Sequence, residues 1–357
     1  MALYSFDRLS ALVVEDNDYM RDVLSDLLRQ LGFREVKTAK NGADAIEFLK
    51  MVAQSSSNQQ YGLGIDLVIS DLVMNPVNGV LLLRWLRMAK ESPDRFMPFI
   101  MLSGAADTGY VNSARDIGTT EFLAKPFSGR SVSQRVLALI DHPRQYVMNQ
   151  HYFGPDRRRR KDGVGENERR VIAEKDITIV YSGSRVTKPK DKTEVWYFRL
   201  PNRLKEKVAG MGATGNGELP LNLLEEAEDN LARKSLEFAD WALTDLASLS
   251  DLCTEALLHP TQRPKHFEQI NLLAHEMRGQ GGTFGYPLIT TFAKSLYDCT
   301  GRGCNQSDAA VEVVKAHIDS MRVVLKEKIK GDGGEVGKQI FMGLRKAINK
   351  HREQFVA

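Results

Sequence analysis

"VISDLVMNPVNG", Val68–Gly79, runs from a stretch apolar enough to be buried on both faces directly into an aspartate, then into a loop of proline, asparagine and glycine. A strand covered on both faces has no room for an unpaired charge. Asp71 therefore marks the carboxyl end of the strand. Asn78 and Gly79 open "NGVLLLRWLRMAK", whose apolar residues recur at helical spacing. Strand, polar turn and helix in this order are the repeating unit of a parallel α/β sheet.

Outward from this unit the pattern repeats. "ALVVED", "REVKTA", "IDLVIS", "FMPFIMLS" and "TEFLAKP" read as five strands, and "YMRDVLSDLLRQLG", "GADAIEFLKMVAQ", "NGVLLLRWLRMAK", "DTGYVNSARDIG" and "RSVSQRVLALI" as the helices between and after them. "SSSNQQYGLG" lengthens the loop before the third strand. Five such units predict an α/β doubly wound five-stranded parallel sheet, flavodoxin-like, over residues 7–142, with any ligand at the carboxyl ends of the strands.

Glu15 and Asp16 end the first strand, Asp71 the third, Ser103 the fourth and Lys125 the fifth, so these groups converge on one edge. Three neighbouring carboxylates repel unless a cation joins them. A small set of hard oxygen ligands suits Mg²⁺, which takes its remaining oxygens from water or a phosphate. Asp71 is then the expected nucleophile toward a phosphoryl group, with the Lys125 ammonium neutralising charge and Ser103 donating to a phosphoryl oxygen.

"VVEDN", "VISDLVMNPVNG", "MLSGA" and "FLAKPF" together resemble the receiver domain of two-component response regulators. The resemblance implies a Mg²⁺-dependent phospho-acceptor with Glu15, Asp16, Asp71 and the Val73 backbone carbonyl as metal ligands. It implies Ser103 and Phe122 as a switch pair and a cis bond between Lys125 and Pro126. Pro76 stands one position later than in most receivers, while Gly79 keeps its usual offset.

Length and composition set the remaining bounds. A chain of 357 residues, 42% hydrophobic and 27% charged, is long enough for two domains and ordinary for a globular protein. A net charge of +3 does not by itself call for nucleic acid. Cys253, Cys299 and Cys304 make neither a disulfide framework nor a zinc pair. No signal peptide or membrane span stands out, so a cytoplasmic protein is expected, with neither membrane nor nucleic acid as partner.

Residues 143–219 read as a basic, glycine-rich connector. "RRRRK", Arg157–Lys161, reads as a solvated run, "DITIVYSG" and "TEVWYFRLP" as a possible β-hairpin, and Gly210-x-Gly212-x-x-Gly215 as linker rather than a dinucleotide loop. If flexible, about 75 residues would span roughly 45–50 Å. From 220 to 331 four amphipathic stretches with short connections predict an all-α antiparallel four-helix bundle. Residues 332–357 add a C-terminal amphipathic helix.

"LLAHEMRGQGGTFGYPL", Leu272–Leu288, lies on the second of those helices. Ile270, Leu273, Ala274, Met277, Gly281 and Phe284 form a buried stripe, and His275 falls away from it beside Arg278, Gly279 and Gly282. His275 is therefore expected to face solvent, with two glycines clearing its surroundings and Arg278 placed to hold an anion. The spacing His275-x-Met277-Arg278-Gly279-x-Gly281-x-x-x-Gly285 resembles the motif of histidine phosphotransfer domains, with methionine, arginine and glycine where leucine, lysine and a small residue are usual. The combined expectation is a phosphorelay protein that carries phosphate on Asp71 and on His275. Its partners would be a sensor histidine kinase, a partner receiver, or both, with no kinase activity of its own. The competing expectation is a non-transferring adaptor, whose receiver gates protein binding by the helices.

Overall fold

The computed structural model describes residues 2–56, 64–104, 114–156, 177–181 and 188–353. The arginine run at 157–161, most of the loop at 55–64 and the start of the helix expected over 107–118 lie outside them. The chain divides into two compact units, residues 1–124 with 129–228 and residues 125–128 with 229–357.

The first unit opens with β1 (Ala2–Leu3), β2 (Ser10–Val14), α1 (Asp18–Gln30), β3 (Glu35–Ala39), α2 (Gly42–Ser56), β4 (Leu67–Asp71), α3 (Gly79–Met88), β5 (Phe99–Gly104), β6 (Glu121–Lys125) and α4 (Gly129–Asp141). The sheet order is β3-β2-β4-β5-β6, with parallel registers from β3 through β5. All five residues of β2 and all five of β4 are buried, as strands covered on both faces require. The core on one side is built from Leu12, Val14, Val68, Leu82, Leu83, Leu86, Phe99 and Met101. Strand order reverses where β2 pairs with both β3 and β4, the switch point at which such sheets open a crevice beyond the strand ends.

The stretch read as a connector is folded in its described residues. β7 (Tyr146–Met148), β8 (Phe153–Pro155), β9 (Ile177–Val180) and β10 (Val195–Phe198) make a four-stranded sheet of order β8-β7-β10-β9. The expected hairpin of β9 and β10 is corrected: the two strands pair in parallel, β10 pairs antiparallel with β7, and β7 and β8 form an antiparallel hairpin whose turn has Asn149 Oδ1 accepting from His151 N and Tyr152 N. Phe96, from the loop before β5, places its ring 5.0–5.2 Å from those of Tyr146, Phe153 and Phe198. The span estimated for a flexible connector does not apply to these folded, described residues. α5 (Arg203–Ala209) and β11 (Gly217–Glu218) follow, and β11 pairs in parallel with β1. Asp141 accepts from Tyr4 Oη at 2.6 Å, Lys205 Nζ at 3.1 Å and Gly217 N at 3.1 Å, fastening segments far apart in sequence.

The second unit is helical. α6 (Leu221–Leu258) contributes Asp229–Leu258 to it, followed by α7 (Arg263–Gly281), α8 (Pro287–Cys299), α9 (Asp308–Lys326) and α10 (Gly334–Glu353). Phe238, Ala242, Leu246 and Leu249 of α6 are buried, as are Phe267, Ile270, Ala274 and Met277 of α7. Phe238 stacks on Phe284 with ring centroids 4.5 Å apart. In α9, Ser307 caps the N-terminus by accepting from Ala310 N, and His317 lies fully buried. No helix among the described residues is long and apolar enough to cross a membrane.

Candidate functional site

β2 and β4 run side by side with Val14 opposite Ser70, so the residues that follow, Glu15 and Asp71, emerge level at the switch point. Carboxylate oxygens of Glu15, Asp16 and Asp71 lie within 4.8 Å of one another. Glu15 and Asp71 are buried and Asp16 is half-buried. Bringing three such groups together in a partly dry crevice is unfavourable without a compensating cation, and their hard oxygens suit a divalent one.

The backbone around the carboxylates is held by local bonds. Asn17 caps α1 by accepting from Met20 N at 3.0 Å. Arg21, one turn into α1, donates from Nη1 to the Glu15 carbonyl at 2.9 Å and pairs with Asp18. The Arg21 hydrogen bond also holds the Asp18 carboxyl below the usual carboxylate range. On the other side, Leu72 N donates to Asp71 Oδ1 at 2.8 Å. Asn78 caps α3 through Leu81 N. Gly79 is required where it stands, because a Cβ there would lie 2.1 Å from the Asp71 carbonyl oxygen. The loop containing Pro76 has a cis Asn75–Pro76 bond, and Lys125–Pro126 is also cis, the isomer expected there.

Asp71 pairs with Leu102 across β4 and β5, so the buried Ser103 stands one residue beyond it on the adjacent strand. Lys125 ends β6, the edge strand next to β5. Phe122, on the same strand, is half-buried and packs against the core beside β5. Val73, the expected carbonyl ligand, is half-buried in the loop after Asp71. Sequence reading did not single out Arg21, whose signal would have been a basic residue one turn after an N-cap.

The histidine site is built differently. His275 and Arg278 lie one turn apart on α7, with Arg278 Nη2 3.0 Å from His275 Nδ1. The Arg278 guanidinium lies over the Tyr297 ring at 4.8 Å, and the His275 ring stands 5.6 Å from the same tyrosine. Tyr297 belongs to α8, and Asn271 of α7 donates to its carbonyl at 2.8 Å. Arg278 is buried, and His275, expected to face solvent, is half-buried. Its ring is flanked by Arg278 and Tyr297.

The four glycines after His275 also divide in role. A Cβ on Gly281 would lie 2.8 Å from Thr290 N and from the Tyr286 carbonyl oxygen, so this glycine permits α7 and α8 to meet. Gly285 has φ +80°. Tyr286 N donates to Gly281 O at 2.7 Å and Gly285 N to Gly282 O at 3.3 Å, the paired bonds of a Schellman ending. Tyr297 was invisible to sequence reading because it arrives from another helix.

Residues 11–137 match the response regulator receiver domain family. Over 135 residues the chain is 30% identical to a probable chemotaxis protein CheY of Rhizobium etli, covering 38% of this chain and 94% of that protein. The chain belongs to the response regulator receiver family. The receiver part is also 31% identical over 134 residues to the 3',5'-cyclic-nucleotide phosphodiesterase regA of Dictyostelium discoideum, where the match covers 37% of this chain but only 15% of that protein. Among solved structures, the receiver domain of sensor histidine kinase PA1611 from Pseudomonas aeruginosa PAO1, described with a magnesium ion in its active site cleft, is 29% identical, covers 36% of this chain and 94% of that one, and superposes with a TM-score of 0.30. Receiver domains act with histidine kinases and other signalling proteins, and the acidic group described above lies inside the matched receiver.

Proposed function

We propose that the chain is a phosphorelay protein: its receiver accepts a phosphoryl group on Asp71, and its helical unit works as a four-helix histidine phosphotransfer bundle carrying phosphate on His275. The observation that carries the first half is the meeting of Glu15, Asp16 and Asp71 within 4.8 Å. In this reading these carboxylates, with the Val73 carbonyl, hold Mg²⁺, which when bound would neutralise charge on the transferring group. A carboxylate oxygen of Asp71 forms the bond to phosphorus as the bond from phosphorus to the donor kinase's histidine nitrogen breaks, and that electron pair leaves with the imidazole. Ser103 donates a hydrogen bond to a phosphoryl oxygen, Lys125 supplies a positive charge, and Phe122 follows the rearrangement of Ser103.

The second half is supported by the glycine-spaced motif around His275 and by the Arg278 guanidinium beside the ring. With no kinase activity of its own, the protein takes phosphate from a sensor histidine kinase or exchanges it with a partner receiver. The adaptor reading draws on one observation: the His275 ring is half-buried and its Nδ1 is already engaged.

Incubation with acetyl phosphate and Mg²⁺, followed by separation of base-labile acyl phosphate from acid-labile phosphohistidine, tests the assignments. D71N should lose the acyl phosphate, and H275Q should lose the phosphohistidine and transfer to a partner receiver. Acyl phosphate surviving in D71N would remove the first assignment, and unchanged signalling in H275Q would favour the adaptor.

A further inference from the structure

The arginine one turn from His275 touches the atom that decides whether the ring can react. A guanidinium cannot give up its proton in a protein and has no acceptor. At 3.0 Å from Arg278 Nη2, His275 Nδ1 is therefore the acceptor of that contact. A neutral imidazole whose Nδ1 accepts carries its proton on Nε2. In this arrangement the Nδ1 lone pair points at the guanidinium and Nε2 bears hydrogen, so neither ring nitrogen offers a lone pair to phosphorus.

His317, on α9, shows the opposite case in the same unit. Its Nδ1 lies 2.8 Å from the Val313 carbonyl oxygen and its Nε2 2.9 Å from Ser295 Oγ. A carbonyl can only accept, so the His317 proton is on Nδ1. Burial pushes the His317 pKa down, consistent with a neutral ring in a fixed tautomer.

We propose that Arg278 is a phosphate-released gate on His275: it holds the ring in the unreactive tautomer and yields Nδ1 only when an arriving phosphoryl group draws the guanidinium to itself. The proposal rests on the phosphotransfer reading of His275 and adds to it how the nucleophile is kept silent. The competition favours release, because a guanidinium and a phosphoryl group carry opposite full charges and can make two parallel hydrogen bonds, whereas the contact with a neutral ring nitrogen is a single bond from a cation to an uncharged acceptor. The guanidinium carbon lies 4.8 Å from the Tyr297 ring centroid, a cation–π contact that gives it a platform without fixing a hydrogen-bonding direction.

Once Arg278 leaves Nδ1, the ring proton passes through water from Nε2 to Nδ1. The Nε2 lone pair forms the bond to phosphorus as the bond from phosphorus to the donor aspartate oxygen breaks. That electron pair departs with the carboxylate, the ring takes up one positive charge, and Arg278 remains on the phosphoryl oxygens. Arg278 acts through His275 and is a positioning residue.

The test uses the full chain labelled with ¹⁵N-histidine at a pH where the rings are neutral. Long-range ¹H–¹⁵N correlations should place the His275 proton on Nε2 and the His317 proton on Nδ1, the latter serving as internal reference. R278M should shift His275 toward the Nδ1–H form and raise its rate of modification by diethyl pyrocarbonate, read by mass spectrometry, by on the order of tenfold. A wild-type His275 with its proton on Nδ1, or an R278M variant with unchanged tautomer and rate, overturns the gate. If R278M does not fold, Y297L keeps the arginine but removes its platform: a several-fold faster modification is expected, and an unchanged rate overturns the proposal. Neither readout involves phosphate. A His275 that shows the expected tautomer yet never carries phosphate would sink the relay reading, not the tautomer lock.

Discussion

The acidic pocket and the proposed histidine site are built in opposite ways. Glu15, Asp16 and Asp71 come from two strands separated by more than fifty residues of chain, and only the parallel register of β2 and β4 brings them level. His275 and Arg278 come from one turn of one helix and meet whenever that helix forms. The pocket therefore depends on backbone junctions at the sheet edge, whereas the histidine pair needs tertiary structure mainly for the tyrosine beneath it. A reactive group assembled over long range is off when the fold is disturbed. One assembled locally would need a separate restraint, the role proposed above for Arg278.

The sharpest way to break this contrast is G79A. A methyl group 2.1 Å from the Asp71 carbonyl forces the β4–α3 junction apart, at a cost of about 3 kcal/mol or more. Urea unfolding should shift and amide exchange should accelerate at the strand ends, with acyl phosphate lost, while protection of α7 stays as in the wild type. Fast exchange in α7 as well would mean that the two constructions are not separable.

The converse is G281A. Its added Cβ would meet Thr290 N and Tyr286 O at 2.8 Å, costing about 2–3 kcal/mol. Exchange should accelerate across α7 and α8, and Asp71 should remain fully reactive to acetyl phosphate.

Asp245 on α6 sharpens the comparison through pH. Burial pushes its carboxyl up to about 6, and its buried Oδ2 has no hydrogen-bond partner among the described residues. Because the folded state binds the proton more tightly than the unfolded chain, the stability of the helical unit should fall as pH rises from about 4 to 6 and stay at the lower level above that. D245N should flatten this slope and gain about 2 kcal/mol near pH 7, measured by denaturant titration across pH. A wild-type stability that rises over this window contradicts the assignment.

The smallest effect expected is that of the cation. At ten times its dissociation constant Mg²⁺ should stabilise the receiver by about 1.4 kcal/mol. D16N should cancel most of that gain, and R278M should leave it intact. Calorimetric scans with and without Mg²⁺ would read both.

Much of the receiver was legible because buried parallel strands are nearly uniform in apolar character, so a carboxylate at the end of each stands out. The described strands and helices match those read for it, and Glu15, Asp16, Asp71 and Ser103 lie where strand ends predicted. The segment after α4 was misread for an equally physical reason. Its strands are three or four residues long, too short for a periodic signal. Their core is completed by Phe96, which belongs to a loop nearly fifty residues upstream. Arg87 is fully buried and has no ion pair among the described residues: its guanidinium donates to the carbonyls of Gly118, Arg95 and Met97 and lies 5.4 Å from the Tyr146 ring.

The sequence by itself determined the order of strands and helices, the acidic residues at the strand ends, and the glycine-spaced histidine on α7, because apolar periodicity and turn chemistry are local properties of the chain. Only the tertiary structure decided that β9 and β10 run parallel, that Gly281 serves the meeting of two helices, and that Tyr297 underlies both Arg278 and His275. Those facts depend on which distant residues share a contact, and the free energy of such contacts is written in geometry that no single segment contains.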